Sequence, residues 1–256
     1  MYQIATWNVN SIRVRAEQVV SWLEKNPVDV LALQEIKVLS DKFPTQLFED
    51  LGYHVAVSGQ PTYNGVAVLS KKPQDVSSIV TDFPGFDDVQ RRVLGVKVDD
   101  IFILDLYVPN GSEVGSEKYA YKLEWLKHLY SYLQALIKQE SKVVVLGDFN
   151  IAPRDQDVHD PAAWEGKILV SPEERVALQA IIDLGFVDSY ELKPAGATVF
   201  SWWDYRMAGF RRDLGMRIDH VLVSTALESR IDNCFIDREP RCWERPSDHA
   251  PVVLTL

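Results

Sequence analysis

The chain has 256 residues, is 46% hydrophobic and 11% aromatic, and carries a formal net charge of −10. That length supports one sizeable core, and 27 basic against 37 acidic residues argue against a protein that coats nucleic acid through a broad basic face. No apolar run reaches the roughly 18 to 20 residues that a membrane span needs. The opening Met1 to Trp7 lacks a basic leader, and Cys234 and Cys242 are too few for a disulfide framework, so a reduced, cytoplasmic protein is expected.

Short β-rich runs alternate with helical ones along the chain. Residues 4–7 read as a first strand that ends in Trp7-Asn8-Val9-Asn10, with a helical pattern over 15–25 after it. Residues 28–33 read as a second strand, apolar without alternation over Val30-Leu31-Ala32-Leu33 as in a strand covered on both faces, and end in Gln34-Glu35-Ile36-Lys37. Residues 65–69, 92–98 and 101–107 read as further strands, the last two joined through Asp99-Asp100 in a tight hairpin. The long helix expected at 118–139 carries Leu123, Leu126, Leu129, Leu133 and Leu136 as one apolar stripe.

The strand at 143–146 ends in Gly147-Asp148-Phe149-Asn150. Ser171-Pro172-Glu173-Glu174 then starts a helix running to 184, with serine as cap, proline at the first position and acids in the first turn. A strand at 217–223 carries Asp219-His220 near its start. Pro246-Ser247-Asp248-His249-Ala250-Pro251 leads into the final strand at 252–256. No repeat or linker marks a boundary, so residues 1–256 are expected to form one layered α/β domain.

Singly, the polar groups at these strand ends admit bland readings. Asn8 and Asn10 suit turns, Glu35 suits a helix start, and Asp219 suits an edge strand facing water. Together, acids and amides that end mostly buried strands are costly unless a cation or a protonation role compensates them. Hard oxygen ligands without a Cys or His cluster point to magnesium, with manganese as substitute, rather than zinc. Phosphodiester hydrolysis needs that inventory: a cation on the phosphate, a carboxylate to activate water, and a donor for the developing charge.

The segments Trp7-Asn8-Val9-Asn10-Ser11-Ile12-Arg13, Leu33-Gln34-Glu35-Ile36-Lys37, Tyr63-Asn64-Gly65, Gln90-Arg91-Arg92 and Tyr107-Val108-Pro109-Asn110-Gly111 continue with four more. These are Gly147-Asp148-Phe149-Asn150, Phe200-Ser201-Trp202-Trp203-Asp204-Tyr205-Arg206, Arg217-Ile218-Asp219-His220 and Pro246-Ser247-Asp248-His249. In content and order the chain resembles the exonuclease III family of DNA-repair nucleases, within the endonuclease/exonuclease/phosphatase superfamily. The resemblance implies a four-layer α/β sandwich, two packed mixed β-sheets flanked by helices. It implies Glu35 as the principal metal ligand, with Asn8 and Asp248 nearby and Asn10 further out. Asp148 would activate water, Asn150 would orient it, and His249, held by Asp219, would donate to the phosphate alongside Tyr107. Arg13, Lys37, Tyr63, Arg92 and Asn110 would contact DNA. Trp202, Met216 and Ile218 would wall a pocket for a sugar without its base, and Arg206, Arg211, Arg212 and Arg217 would supply local positive charge.

The implied substrate is double-stranded DNA with abasic sites or blocked 3′ ends, and the implied protein is a monomer with no membrane partner. Three departures stand out: Ser11 where glycine is common, Asn10 where some members carry aspartate, and an unmatched segment at 154–170 that contains His159 and Trp164. That segment bears on the balance between internal abasic-site cleavage and 3′-end trimming. The rival readings are a superfamily enzyme acting on a phospholipid headgroup or inositol phosphate, and a non-catalytic DNA-end-binding scaffold. His54, His128 and His220 show no partner pattern and take ordinary core or surface roles.

Overall fold

The computed structural model describes residues 1–196 and 199–256. Its elements run β1 (Gln3–Asn8), α1 (Ile12–Lys25), β2 (Val30–Gln34), α2 (Thr45–Glu49), β3 (His54–Ser58), β4 (Val66–Ser70), β5 (Gln74–Val80), β6 (Val93–Val98) and β7 (Ile101–Tyr107). Next come α3 (Glu117–Leu136), β8 (Val143–Asp148), α4 (Pro161–Trp164), α5 (Pro172–Ile182), β9 (Phe186–Asp188), α6 (Ser189–Leu192) and β10 (Pro194–Ala195). Then follow β11 (Trp202–Trp203), β12 (Gly215–Met216), β13 (Asp219–Ser224), α7 (Thr225–Glu228), β14 (Asn233–Ile236) and β15 (Val252–Thr255).

Among the described residues the strands form two mixed sheets and a small ribbon. One sheet has seven strands in the order β10-β14-β15-β1-β2-β4-β3, the other six in the order β5-β6-β7-β8-β13-β9, and β11 pairs with β12. Between the sheets lies a core to which both contribute, including Ile4, Val30, Val66 and Val252 from one and Val96, Ile103, Leu146 and Val221 from the other. Outside the six-stranded sheet, α3 and α5 bury Trp125, Leu129, Leu133 and Leu178. Outside the seven-stranded sheet, α1 and α2 bury Val19, Trp22 and Phe48. The four layers follow from the sequence. Strands such as Val143–Asp148, buried at every position, need cover on both faces, and helices with one apolar stripe supply it.

The expected β6–β7 hairpin forms, pairing Val98 with Ile101 around Asp99. The strands β3, β5, β9 and β14 escape sequence reading because they are short or half-exposed; β5 carries Gln74, Asp75, Ser77 and Ser78 along a sheet edge. The strand expected from 217 begins instead at Asp219, because Gly215–Met216 pairs separately with Trp202–Trp203. Helix α1 starts earlier than its apolar pattern, at Ile12 behind Ser11. No helix among the described residues is long and apolar enough to cross a membrane.

Candidate active site

Register puts the chemistry in one place. Asp148 ends β8 and is paired on one side with Tyr107 at the end of β7, and on the other with Asp219 at the start of β13. In the other sheet, Asn8 ends β1 beside Gln34, the residue before Glu35. The two rows meet across the gap between the sheets. The Asn8 amide nitrogen donates to Asp148 Oδ2 and to Glu35 Oε1, each at 2.9 Å. Deeper in the same gap, Gln34 donates to Asp105 Oδ1 at 2.6 Å, and burial pushes that carboxyl well above its usual range.

The loops that carry these groups are strained. Asn10 (φ 45), Ser11 (φ 91), Glu35 (φ 50), Lys37 (φ 56) and Asn150 (φ 50) all occupy left-handed backbone without being glycine. Such conformations persist where the surroundings over-determine them. Here Ser11 N–H donates to Glu35 O at 2.7 Å, Ile36 N–H to Gly65 O at 3.1 Å and Lys37 N–H to Asn64 O at 2.9 Å. Gly147 permits the close approach of β8 to β7, since a Cβ there would stand 2.0 Å from Leu106 O.

Asp148 accepts the Asn150 N–H on Oδ1 at 2.9 Å, and its Oδ2 lies 3.7 Å from His249 Nε2. On the far side of the ring, His249 Nδ1 donates to Asp219 Oδ2 at 2.9 Å. Asp219 is itself held by the Ser201 hydroxyl at 2.6 Å. Asn150 takes an N–H from the Asn110 side chain on its Oδ1 at 3.0 Å and donates to Val108 O. Buried Lys122 pairs with Glu174 and donates to the carbonyls of Asn110 and Asn150, tying both loops to α3 and α5. The Arg92 guanidinium lies 4.6 Å over the Tyr107 ring.

The residues fit a hard cation. Among the described residues, Glu35 and Asp148 bring carboxylate oxygens within 4.8 Å of each other, the hard donors such an ion takes, with the His249 ring beside them. The Lys37 ammonium already sits 2.8 Å from Glu35 Oε2 and 2.5 Å from Asn10 Oδ1, a cationic charge at the mouth of the cluster. Asp248 joins at one remove: Asn10 donates to its Oδ1 and the Trp202 indole to its Oδ2, each at 3.0 Å.

Comparison with known proteins decides the class. The endonuclease/exonuclease/phosphatase family profile matches residues 5–249. The chain is 36% identical to exodeoxyribonuclease III of Haemophilus influenzae over 96% of its own length and 97% of that protein. It superposes with TM-score 0.97 on a 3′ phosphatase, NExo, from Neisseria bound to a product DNA hairpin, at 42% identity over 100% of this chain and 99% of that one. On an AP endonuclease from Archaeoglobus fulgidus the TM-score is 0.95 at 38% identity, over 100% and 99% of the two chains. The chain belongs to the exonuclease III family.

Within this family member, burial sets the proton affinities. Burial raises Asp148; the nearby His249 pulls it down, while Asp219 and Glu35 add to the rise, leaving it at about 7. Burial would lower His249, but Asp219 and then Asp148 outweigh it and push the ring up to about 10. The neighbouring acids thus favour the imidazolium form of the ring. Burial, then Glu35 and Asp148, push Tyr107 well above the usual phenol range, so its hydroxyl keeps its proton.

Several expectations are revised by the coordinates. Asn8, read as a metal ligand, turns its amide nitrogen to both carboxylates while its Oδ1 accepts the Asn10 N–H at 3.0 Å; it bridges the sheets. Arg217 supplies no free positive charge, because it is buried and paired with Asp157 (2.8 Å), Asp188 (2.6 Å) and Glu191 (3.1 Å). Arg206 is spent on Asp204 at 2.6 Å. Arg211 and Arg212 are exposed, as are Arg13 and Tyr63. Met216 and Ile218 are buried, exposing 0% and 1%, and so wall no open pocket. His220 has a partner pattern after all, with Nε2 against Ile151 O at 2.8 Å and Nδ1 against Arg217 at 3.1 Å. Tyr63, Arg92, Tyr107 and Asn110 line a groove of about 460 Å³ beside the site.

Ser201, Lys122 and Ser247 were missed. Ser247 donates to Asn8 O at 2.7 Å and accepts the His249 N–H at 3.2 Å. For Ser247 the signal lay in its place within the Asp-His motif. Lys122 is a lone basic residue on an apolar helix face, which is unusual for a solvated lysine.

Proposed function

We propose that this exonuclease III family member is a magnesium-dependent DNA-repair nuclease acting as a monomer on double-stranded DNA. It hydrolyses phosphodiesters on the 5′ side of abasic sites and removes blocking groups or nucleotides from 3′ ends. The observation that carries the reading is the contact of the two rows: Asp148, an acid raised to about 7, lies 3.7 Å from an imidazolium that Asp219 holds on its other side.

The steps assigned to the chain's own groups are these. Asp148 takes a proton from water held with the help of Asn150, and the water oxygen bonds to phosphorus as the bond to the 3′ oxygen breaks. The imidazolium of His249 donates to a non-bridging oxygen, where negative charge builds, and the Tyr107 hydroxyl donates beside it. Asp219 keeps the imidazole charged and oriented. Glu35 would hold the cation, with Asn8, Asn10 and Asp248 fixing its position. When bound, that cation supplies charge neutralisation at the phosphate and at the leaving oxygen. Lys37, Arg13, Tyr63, Arg92 and Asn110 border the path of the DNA strand.

A gel assay on duplex DNA tests this. With magnesium, strand cleavage or 3′-phosphate release is expected, and chelation should abolish it while circular dichroism stays unchanged. Release of phosphate from a soluble phosphomonoester with no action on either duplex would shift the reading to another superfamily substrate.

A further inference from the structure

The segment 244–249 delivers Asp248 and His249 to the site without a helix or strand of its own. Such a segment holds its shape only if its backbone groups find partners, and every carbonyl along it does. Gln18 donates to Glu244 O at 2.7 Å. Arg15 Nε donates to Arg245 O at 3.2 Å and Arg15 Nη2 to Pro246 O at 3.1 Å, where the Tyr205 hydroxyl also donates at 2.7 Å. Arg241 donates to Ser247 O, the Trp203 N–H to Asp248 O at 3.0 Å and the Trp7 indole to His249 O at 3.2 Å.

Arg15, in the first turn of α1, does more than hold two of these carbonyls. Its Nη1 donates to Asn10 O at 2.5 Å and its Nη2 to the Tyr205 hydroxyl at 3.3 Å. One planar guanidinium thus joins the turn after β1, the stretch after β11 and the segment 244–249. Its rigid fork of five N–H donors suits that span, and a compact ammonium would not. Two of the residues whose carbonyls it holds, Asn10 (φ 45) and Arg245 (φ 49), sit in left-handed backbone, which persists where the surroundings over-determine it. From there the hold passes to the site, because Asn10 Nδ2 donates to Asp248 Oδ1 at 3.0 Å and His249 is the next residue. Among the described residues, the hydrogen bonds of Arg15 go to carbonyls and one phenol, not to Asp148, Asp219 or the His249 ring.

We propose that Arg15 is a positioning residue for catalysis: it seats the segment bearing Asp248 and His249 against the Asn10 turn, and so sets the imidazole at its working distance from Asp148. This rests on the nuclease reading above and adds to it a group that acts only through others. A misplacement of about 1 Å in such a centre costs on the order of 100-fold in rate. The competing role for a half-buried arginine beside a DNA path is direct contact with a phosphate, which fixes the substrate rather than the catalytic groups. The two roles differ in what their loss changes.

The test compares full-length wild type, Arg15→Ala, Arg15→Lys and Tyr205→Phe with magnesium, on duplexes carrying a 3′ phosphate or an internal abasic analogue. Arg15→Ala should lower the single-turnover rate by roughly 10- to 100-fold, while DNA affinity and its salt dependence, read by fluorescence anisotropy, stay at the wild-type level. A phosphate contact would instead weaken binding and reduce the salt slope by about 1; that result with the saturated rate intact overturns the proposal. Arg15→Lys keeps the charge but not the fork, so its rate should stay well below wild type, and full recovery overturns the proposal by showing that charge alone suffices. Should Arg15→Ala melt early, Arg15→Lys and Tyr205→Phe carry the test, since Tyr205 is 50% exposed and loses only a hydroxyl; unmoved rates in both overturn the proposal. Without DNA or metal, the Trp202 indole N–H, which donates to Asp248 Oδ2 at 3.0 Å, should shift its NMR resonance in Arg15→Ala, and a resonance left in place also overturns it. A wild type inactive on both duplexes overturns the nuclease reading, and the indole resonance then still decides whether Arg15 sets Asp248.

Discussion

Two buried charge clusters of nearly the same composition behave in opposite ways. Around Arg217, the acids Asp157, Asp188 and Glu191 close on one guanidinium, and burial, which would raise Asp188, is outweighed by Arg217 so that the carboxyl falls below its usual range. Around Asp148, the acids Asp219 and Glu35 share one imidazole and one peripheral ammonium, and Asp148 rises. Burial penalises both carboxylates as charged groups. Distance to the cation separates them: Arg217 meets Asp188 at 2.6 Å, whereas the His249 ring stands 3.7 Å from Asp148. The first cluster is a structural clamp, and the second keeps a buried carboxyl with a raised proton affinity, a pattern common at functional sites.

Replacing the key residue in each cluster should therefore fail differently. Asp148→Asn should lower turnover by about 10²- to 10⁴-fold, the range for loss of a general base, with DNA affinity retained. Single-turnover gels and fluorescence anisotropy separate the two quantities, and undiminished turnover would remove Asp148 from its role. Arg217→Met should act on the fold instead, since it strands buried acids. A loss of about 3 to 5 kcal/mol in denaturant unfolding is expected, and a loss below 1 kcal/mol would show the clamp to be slack.

The difference can also be read by pH. In wild type, kcat/KM should climb through about 7 as Asp148 ionises and fall toward about 10 as His249 gives up its proton. Asp219 is the chief group holding the imidazolium charged against burial. Asp219→Asn should therefore move the falling limb toward neutrality, and a limb that stays in place would detach His249 from the profile. The smallest expected effect is Ser201→Ala. It removes the bond to Asp219 and the acceptor of the Ile218 and Asp219 N–H groups, at a cost of about 1 to 3 kcal/mol in thermal or chemical unfolding.

The fold's layers were legible because the buried strands, such as 143–148, show uninterrupted apolar runs, and because α3 shows a single leucine stripe. The site was legible through strand ends: Asn8, Glu35, Asp148 and His249 all terminate or flank such runs. What sequence could not show is which atoms face which. That Asn8 turns nitrogen rather than oxygen to the carboxylates depends on Asn10 N–H claiming its Oδ1. Arg217 could have been placed by alternation, since Met216 and Ile218 flank it in extended chain and share the opposite face. Its three acidic partners come from distant positions that no local pattern connects. The edge strands β3 and β5 were hidden by exposure, because half-solvated edges tolerate polar residues that read as loop.

The hydrogen bonds of Asn8 have a consequence beyond chemistry. Because Asn8 lies in one sheet and Asp148 in the other, the reactive geometry exists only while the two halves of the sandwich are docked in a single alignment. A slide of one half over the other by less than an ångström would leave every strand and helix intact yet part the base from its partners. Catalysis in this protein thus serves as a ruler for how its layers seat. Substitutions deep between the sheets, far from any nucleotide, should surface first as kinetic variants and only later as unstable ones.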